Sequence, residues 1–197
     1  IKREGYTFDG WYSDPQTATQ VFNTDSYAKI AKSDKEDHVV IYAKWKPNKY
    51  SVTLDPTLGW SKQTSVEVTY DQAIPTVGVP LAKGYTFNGY FDAKEGGIQY
   101  IKADGTSAKN WDKTDENPSL YAQWSVNFYN VNFEIVGDVE GGNPTASPNP
   151  ATVGQTVQLN PNTNPGYNFK GFTTDDKDVE ITDLNTFVMP AHAVTIK

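Results

Sequence analysis

The sequence predicts a mainly β protein assembled from small modules in tandem, and three observations predict it. One aromatic motif occurs three times, as Gly5-Tyr6-Thr7-Phe8-Asp9-Gly10-Trp11-Tyr12, Gly84-Tyr85-Thr86-Phe87-Asn88-Gly89-Tyr90-Phe91 and Gly166-Tyr167-Asn168-Phe169-Lys170-Gly171-Phe172-Thr173. From Gly5 to Gly84 is a step of 79 residues, and from Gly84 to Gly166 one of 82. A second motif keeps the step, since Tyr42-Ala43-Lys44-Trp45 returns as Tyr121-Ala122-Gln123-Trp124, again 79 residues on. Two motifs that share one period mark a tandem array. The third observation is alternation: the segments between motifs switch apolar and polar residues with the period of half-buried strands.

Closing each unit on its YA(K/Q)W motif gives three frames, 1–46, 47–125 and 126–197. The first frame holds only the second half of a unit. Thr24 or Asp25 is placed to cap a short helix in which Tyr27, Ile30 and Ala31 fall at i, i+3 and i+4. Asp9-Gly10 and Asn88-Gly89 are pairs that a two-residue hairpin turn selects, because both positions need positive φ. That register sets Phe8 against Trp11 as a core face and leaves Tyr12 on a less demanding one. The second frame is complete. Tyr50-Ser51-Val52-Thr53-Leu54 and Val66-Glu67-Val68-Thr69-Tyr70 both alternate, with Pro56 and Gly59 between them, so they predict a strand pair around a long loop. In the third frame Val131–Val136 and Thr156–Leu159 stand for the same strands, around a loop rich in Gly, Asn and Pro. Trp45 and Trp124 are expected to be largely buried in the last strand of their units.

The half unit is too small to bury much surface alone and leaves a strand edge open. It is expected to complete itself by leaning on the second frame or by taking a strand from a neighbouring chain. The first route makes the protein a monomer and the second a concentration-dependent oligomer.

These residues resemble the internalin-type B repeat, or Listeria–Bacteroides repeat, family. Its units run from an alternating strand through a turn-rich stretch to GYxFxGWY and close on YAxW. Residues 47–125 are similar to a full copy and residues 1–46 to its second half. Phe187-Val188-Met189-Pro190-Ala191 followed by Val194-Thr195-Ile196 resembles the end of the family's divergent branch, without a closing aromatic before Lys197. The resemblance implies β-grasp-like modules in a linear array on bacterial surface or secreted proteins, and implies no catalytic site.

Composition narrows the chemistry. There is no Cys, so neither a disulfide scaffold nor a Cys-based zinc site is available. A net charge of −7 with Arg3 as the single arginine argues against nucleic-acid binding, which needs clustered cations. No run reaches the roughly 18–20 apolar residues of a membrane span, so no membrane insertion is expected in this segment. The chain opens at Ile1 within a repeat, as expected of a piece of a longer protein. The two histidines, His38 and His192, fall in different frames and no GxSxG elbow occurs, so no catalytic residue is nominated. The acidic runs Asp34–Asp37 and Asp175–Glu180 lack the spacing of a calcium loop and read as solvated turns. No metal and no cofactor is expected.

What remains is surface. The expected function is a non-enzymatic stalk, spacer or adhesion segment of an extracellular bacterial surface protein. Its candidate partners are a host or matrix protein or a glycan. The alternative is a carbohydrate- or peptide-binding module using Trp60 and Trp111, the two tryptophans of the second frame that lie outside the repeated motifs. Exposure of these two side chains separates the readings.

Overall fold

A computed structural model describes residues 1–12, 16, 41–137 and 139–197. The helix expected after Thr24, the Asp34–Asp37 run and His38 lie outside these residues. Among the described residues the protein is almost entirely β, with one 3₁₀ turn at Val139–Gly141 and no α-helix. Strands β1 (Tyr6–Tyr12) and β2 (Tyr42–Pro47) form an antiparallel pair. Strands β3 (Lys49–Asp55), β4 (Ser65–Thr69), β5 (Tyr85–Phe91), β6 (Gln99–Lys102) and β7 (Ser119–Val126) make one sheet in the order β4-β3-β7-β5-β6.

The alternation in the sequence fills this sheet as expected. Val52 and Leu54 of β3, Val66 and Val68 of β4, and Leu120 and Ala122 of β7 are buried, while the residues between them face outward or lie part-buried. Each buried Val or Leu contributes roughly 1.5–3 kcal/mol relative to an exposed one. β3 pairs antiparallel with β4 and parallel with β7. A parallel central pair, β3 with β7, flanked by the antiparallel β4 is the β-grasp-like feature of the sheet.

In its first two copies the aromatic motif is a strand and not a hairpin. β1 runs through Asp9-Gly10, and its register against β2 skips one residue between Phe8 and Gly10. Asp9 is therefore the extra residue of a bulge. Gly10 and Gly89 have φ of 126° and 127°, so each meets the demand for positive φ that predicted a turn. Both sit inside continuous strands. The bulge re-aims the side chains that follow. In the first copy Tyr12 is buried and Phe8 is exposed, the reverse of the expected faces, although the Phe8 and Trp11 rings do meet at 5.5 Å. In the second copy Phe87 and Tyr90 are both buried. Trp45 and Trp124 are half-buried, because each lies over a Phe at the sheet surface and not beneath it.

The last part of the chain contains β8 (Phe128–Tyr129), β9 (Val131–Phe133), β10 (Thr145–Ser147), β11 (Ala151–Thr152), β12 (Thr156–Asn160), β13 (Thr186–Val188) and β14 (Val194–Ile196). β10, β12 and β13 form an antiparallel sheet, β11 pairs with β8, and β14 runs parallel to β9. Their core is built on Val131, Val157, Leu159, Phe187, Met189 and Val194. The predicted strand from Val131 stops at Phe133, three residues early.

Two compact units result, one of residues 1–56, 62–79 and 89–122, the other of residues 57–61, 80–88 and 123–197. They do not follow the frames of the sequence period: the second unit gathers the loop at 57–61 and the first half of β5 together with the third repeat.

Candidate interaction surface

The first residues of the aromatic motif make the same contacts twice. Asn48, three residues after Trp45, donates its backbone N–H to the Gly5 carbonyl at 2.9 Å and accepts from the Thr7 hydroxyl at 2.6 Å. Asn127, three residues after Trp124, does the same with Gly84 at 2.9 Å and Thr86 at 2.7 Å. Asn48 and Asn127 are 79 residues apart, a match to the period that the two motifs alone did not expose.

Each glycine is also a seat for a side chain further along. A Cβ on Gly5 would lie 2.3 Å from the Tyr70 ring, and one on Gly84 would lie 2.2 Å from Val153 Cγ1. With φ of 75° and 84°, both positions also favour glycine on backbone grounds. At the first seat, Tyr6 stacks edge-on against Tyr70 at 5.5 Å and donates its hydroxyl to Asp71 at 2.7 Å. The bond to Asp71, with smaller help from burial, raises the Tyr6 hydroxyl above its ordinary range. The half unit is thus tied to Asn48, Tyr70 and Asp71 of the same compact unit.

Trp60 and Trp111 part company. Trp60 is 67% exposed, and its backbone bridges Leu81 through bonds of 2.8 and 2.9 Å. Directly paired residues of an antiparallel bridge share a face, so Trp60 and Leu81, both exposed, form an apolar patch. The loop is held from beneath by Trp124, whose indole N–H donates to Thr57 Oγ1 at 3.1 Å and whose ring leaves no room for a Cβ on Gly59.

Trp111 is 0% exposed, which corrects its nomination as a ligand surface. Its indole N–H donates to the Lys113 carbonyl at 2.8 Å, so the polar end of the ring is satisfied inside the loop it seals. It packs on Tyr100, whose hydroxyl donates to Asp112. Burial, then Asp112, push the Tyr100 hydroxyl far above the ordinary phenol range. Asp112 feels an opposing burial effect, but bonds from Lys109 and Tyr100 overcome it and hold the carboxyl below its usual range.

The acidic run near residue 175 forms a turn, with Asp178 donating its N–H to Asp176 at 3.0 Å. His192 Nε2 lies 2.7 Å from Asp176 Oδ2. Asp176, Asp178 and His192 bring their ligand-type atoms within 4.8 Å of one another. The His192 bond, followed by the Asp178 backbone N–H, lowers the Asp176 pKa. The sequence gives no sign of this contact, because its partners are 16 residues apart.

The repeating strand, its positive-φ glycine and the Trp-x-x-Asn interlock define a class: small β modules joined through a shared motif. The chain belongs to the Listeria–Bacteroides repeat family, whose model matches residues 1–44 and 50–123. The divergent InlB B-repeat domain model matches residues 131–197. Both matches are to repeat domains, and neither points to an enzyme family.

Among similar proteins, a Gly-rich membrane protein of Evansella cellulosilytica is 28% identical over 94% of this chain and 20% of its own length. A second membrane protein of that organism is 30% identical over 88% of this chain and 24% of its own. Internalin H of Listeria monocytogenes is 36% identical over 64% of this chain and 20% of its own. The chain therefore spans no more than a quarter of these relatives. No solved structure matches it.

Proposed function

We propose that this chain is a non-catalytic spacer of a bacterial surface protein, a run of interlocked repeats that holds another part of the parent away from the cell envelope. The observation that carries the reading is the repeated interlock at Gly5–Asn48 and Gly84–Asn127. Bonding each repeat's first motif residues to the segment after its closing Trp stiffens a tandem chain without specialising any one repeat. Three points support the surface setting: the family, the relatives named as membrane proteins and the similarity to internalin H. Among the described residues no helix is long and apolar enough to cross a membrane.

A second reading has its own observation, the exposed Trp60–Leu81 patch, which suits a sugar ring or an extended peptide from a host or matrix partner. Weak binding at each repeat would gain from repetition through effective concentration. One exchange separates the two readings. Residues 47–125 of the parent are replaced by an unrelated β-rich spacer of similar span. The spacer reading expects surface display and partner binding to survive. Loss of binding that Trp60→Ala alone reproduces would replace it with the second reading.

A further inference from the structure

The third copy of the aromatic motif offers two places that are filled in the first two copies. Tyr6–Tyr12 and Tyr85–Phe91 are strands, each paired with the strand that carries the closing Trp. Their Phe residues lie under that Trp, with ring centroids 5.5 Å apart for Phe8–Trp45 and 5.4 Å for Phe87–Trp124. Tyr167–Phe172 forms no strand. Phe169 is 42% exposed and borders a cavity of about 620 Å³ together with Phe133, Ile135, Val136, Tyr167 and Phe172. The glycine seat is open as well. Gly166 has φ 92°, like Gly5 and Gly84, yet a Cβ there would meet nothing within 4 Å.

The first rung of the ladder that would fill the groove is already made. Thr173 and Lys197 exchange backbone hydrogen bonds of 2.9 and 2.8 Å. Thr173 is the eighth residue of its motif, as Tyr12 is of the first copy, and Tyr12 pairs with Tyr42. From that rung the first copy continues Trp11–Ala43, Gly10–Lys44 and Phe8–Trp45, and Asn48 follows on Gly5. Laid on the third copy, the same register sets the first residue past Lys197 opposite Phe172 and the third opposite Phe169.

We propose that this groove is the seat of an antiparallel β-strand formed by the residues that follow Lys197 in the parent protein. The third of these residues is a large aromatic over Phe169. The sixth is an Asn that bonds Gly166, and a side chain of the following repeat covers the Gly166 seat. The apolar lining selects an aromatic at the third place, and the backbone of Tyr167–Phe172, which joins no strand ladder, selects an extended segment, as sheet edges do. This inference deepens the spacer reading by giving the array a third interlock and a way to continue.

Amide hydrogen exchange tests it on two chains, residues 1–197 and the same chain carried ten residues further along the parent. A third chain ends in a graft of the protein's own Ala43–Asn48 after Lys197, and the same graft with Trp45→Ser serves as control. The longer parent chain and the intact graft are expected to slow exchange at Tyr167–Phe172 by about 100-fold, and the Trp45→Ser graft by much less. Sedimentation should show all four as monomers.

Unchanged exchange in the longer parent chain overturns the proposal, as does a parent that ends at Lys197. Protection that appears only with dimerisation also overturns it, because a second copy would then be the occupant. The spacer exchange described above reads display and binding, so failure of either test leaves the other result standing.

Discussion

The second and third copies of the aromatic motif share one frame, Gly-Tyr-x-Phe-x-Gly followed by an aromatic, in two states. Phe87 is 7% exposed within a strand, under Trp124, whereas Phe169 is 42% exposed in a segment that forms no strand. Gly89 and Gly171 keep the same backbone angle, 127° and 133°. The motif therefore fixes its own local bend, but becomes a strand only where a second strand carries an aromatic across it. Strand propensity is a fit to neighbours before it is a property of the residues.

The largest effect expected from this difference is on core stability. Phe87→Ala should cost about 3–5 kcal/mol, as large-to-small aromatic changes in cores do. Phe169→Ala should stay within roughly 1 kcal/mol, near the range of surface changes. Urea unfolding of both variants checks the pair, and equal losses would remove the distinction. Next in size are the glycine seats. Gly84→Ala forces a methyl onto Val153 and should cost about 1–3 kcal/mol for overpacking, beyond the backbone strain it shares with Gly166→Ala. The difference between the two melting curves isolates that contact.

Asn127→Ala removes the side-chain partner of Thr86 while leaving the backbone bond to Gly84 in place. About 1 kcal/mol is expected, the net worth of one hydrogen bond. Denaturant midpoints with and without Thr86→Val, combined as a double-mutant cycle, should show the two losses to be coupled.

The smallest effect is the response to acid. Asp92, held down by the Ile98 N–H and then by Lys113, and Asp112 both have carboxyl pKa values below the ordinary range. Such groups add stability at pH values above the unfolded carboxyl pKa, near 4, and lose it as pH falls through the depressed folded value. Asp176 in the third repeat, lowered by His192, works in the same sense. Stability should therefore be flat from pH 7 to about 5 and decline below about 4. Asp92→Asn combined with Asp112→Asn should flatten the decline in a pH series of unfolding curves.

Much of this was legible in the sequence. The strands at 50–54, 66–70 and 156–159 could be read because alternation is local and one face of each is buried. Gly10 and Gly89 were legible as positions of positive φ, but not as positions inside strands, since a tight turn and a bent strand select the same residue. The parallel pairings of β3 with β7 and β9 with β14 were not legible, because strands so far apart in sequence leave no local trace of their register. Trp60 and Trp111 both stand among turn and polar residues. Only the fold shows that Trp111 has a carbonyl for its N–H and a ring to lie against. Asn48 and Asn127 could have been found, since they share the period of the two motifs.

The central claim is that one motif is a paired strand in the second repeat and an open edge in the third. Amide exchange of residues 85–91 and 167–172, followed in a single sample of the 197-residue chain, tests it most directly. The account predicts protected amides through β5 and fast exchange from Tyr167 to Phe172, and comparable protection in the two segments would contradict it.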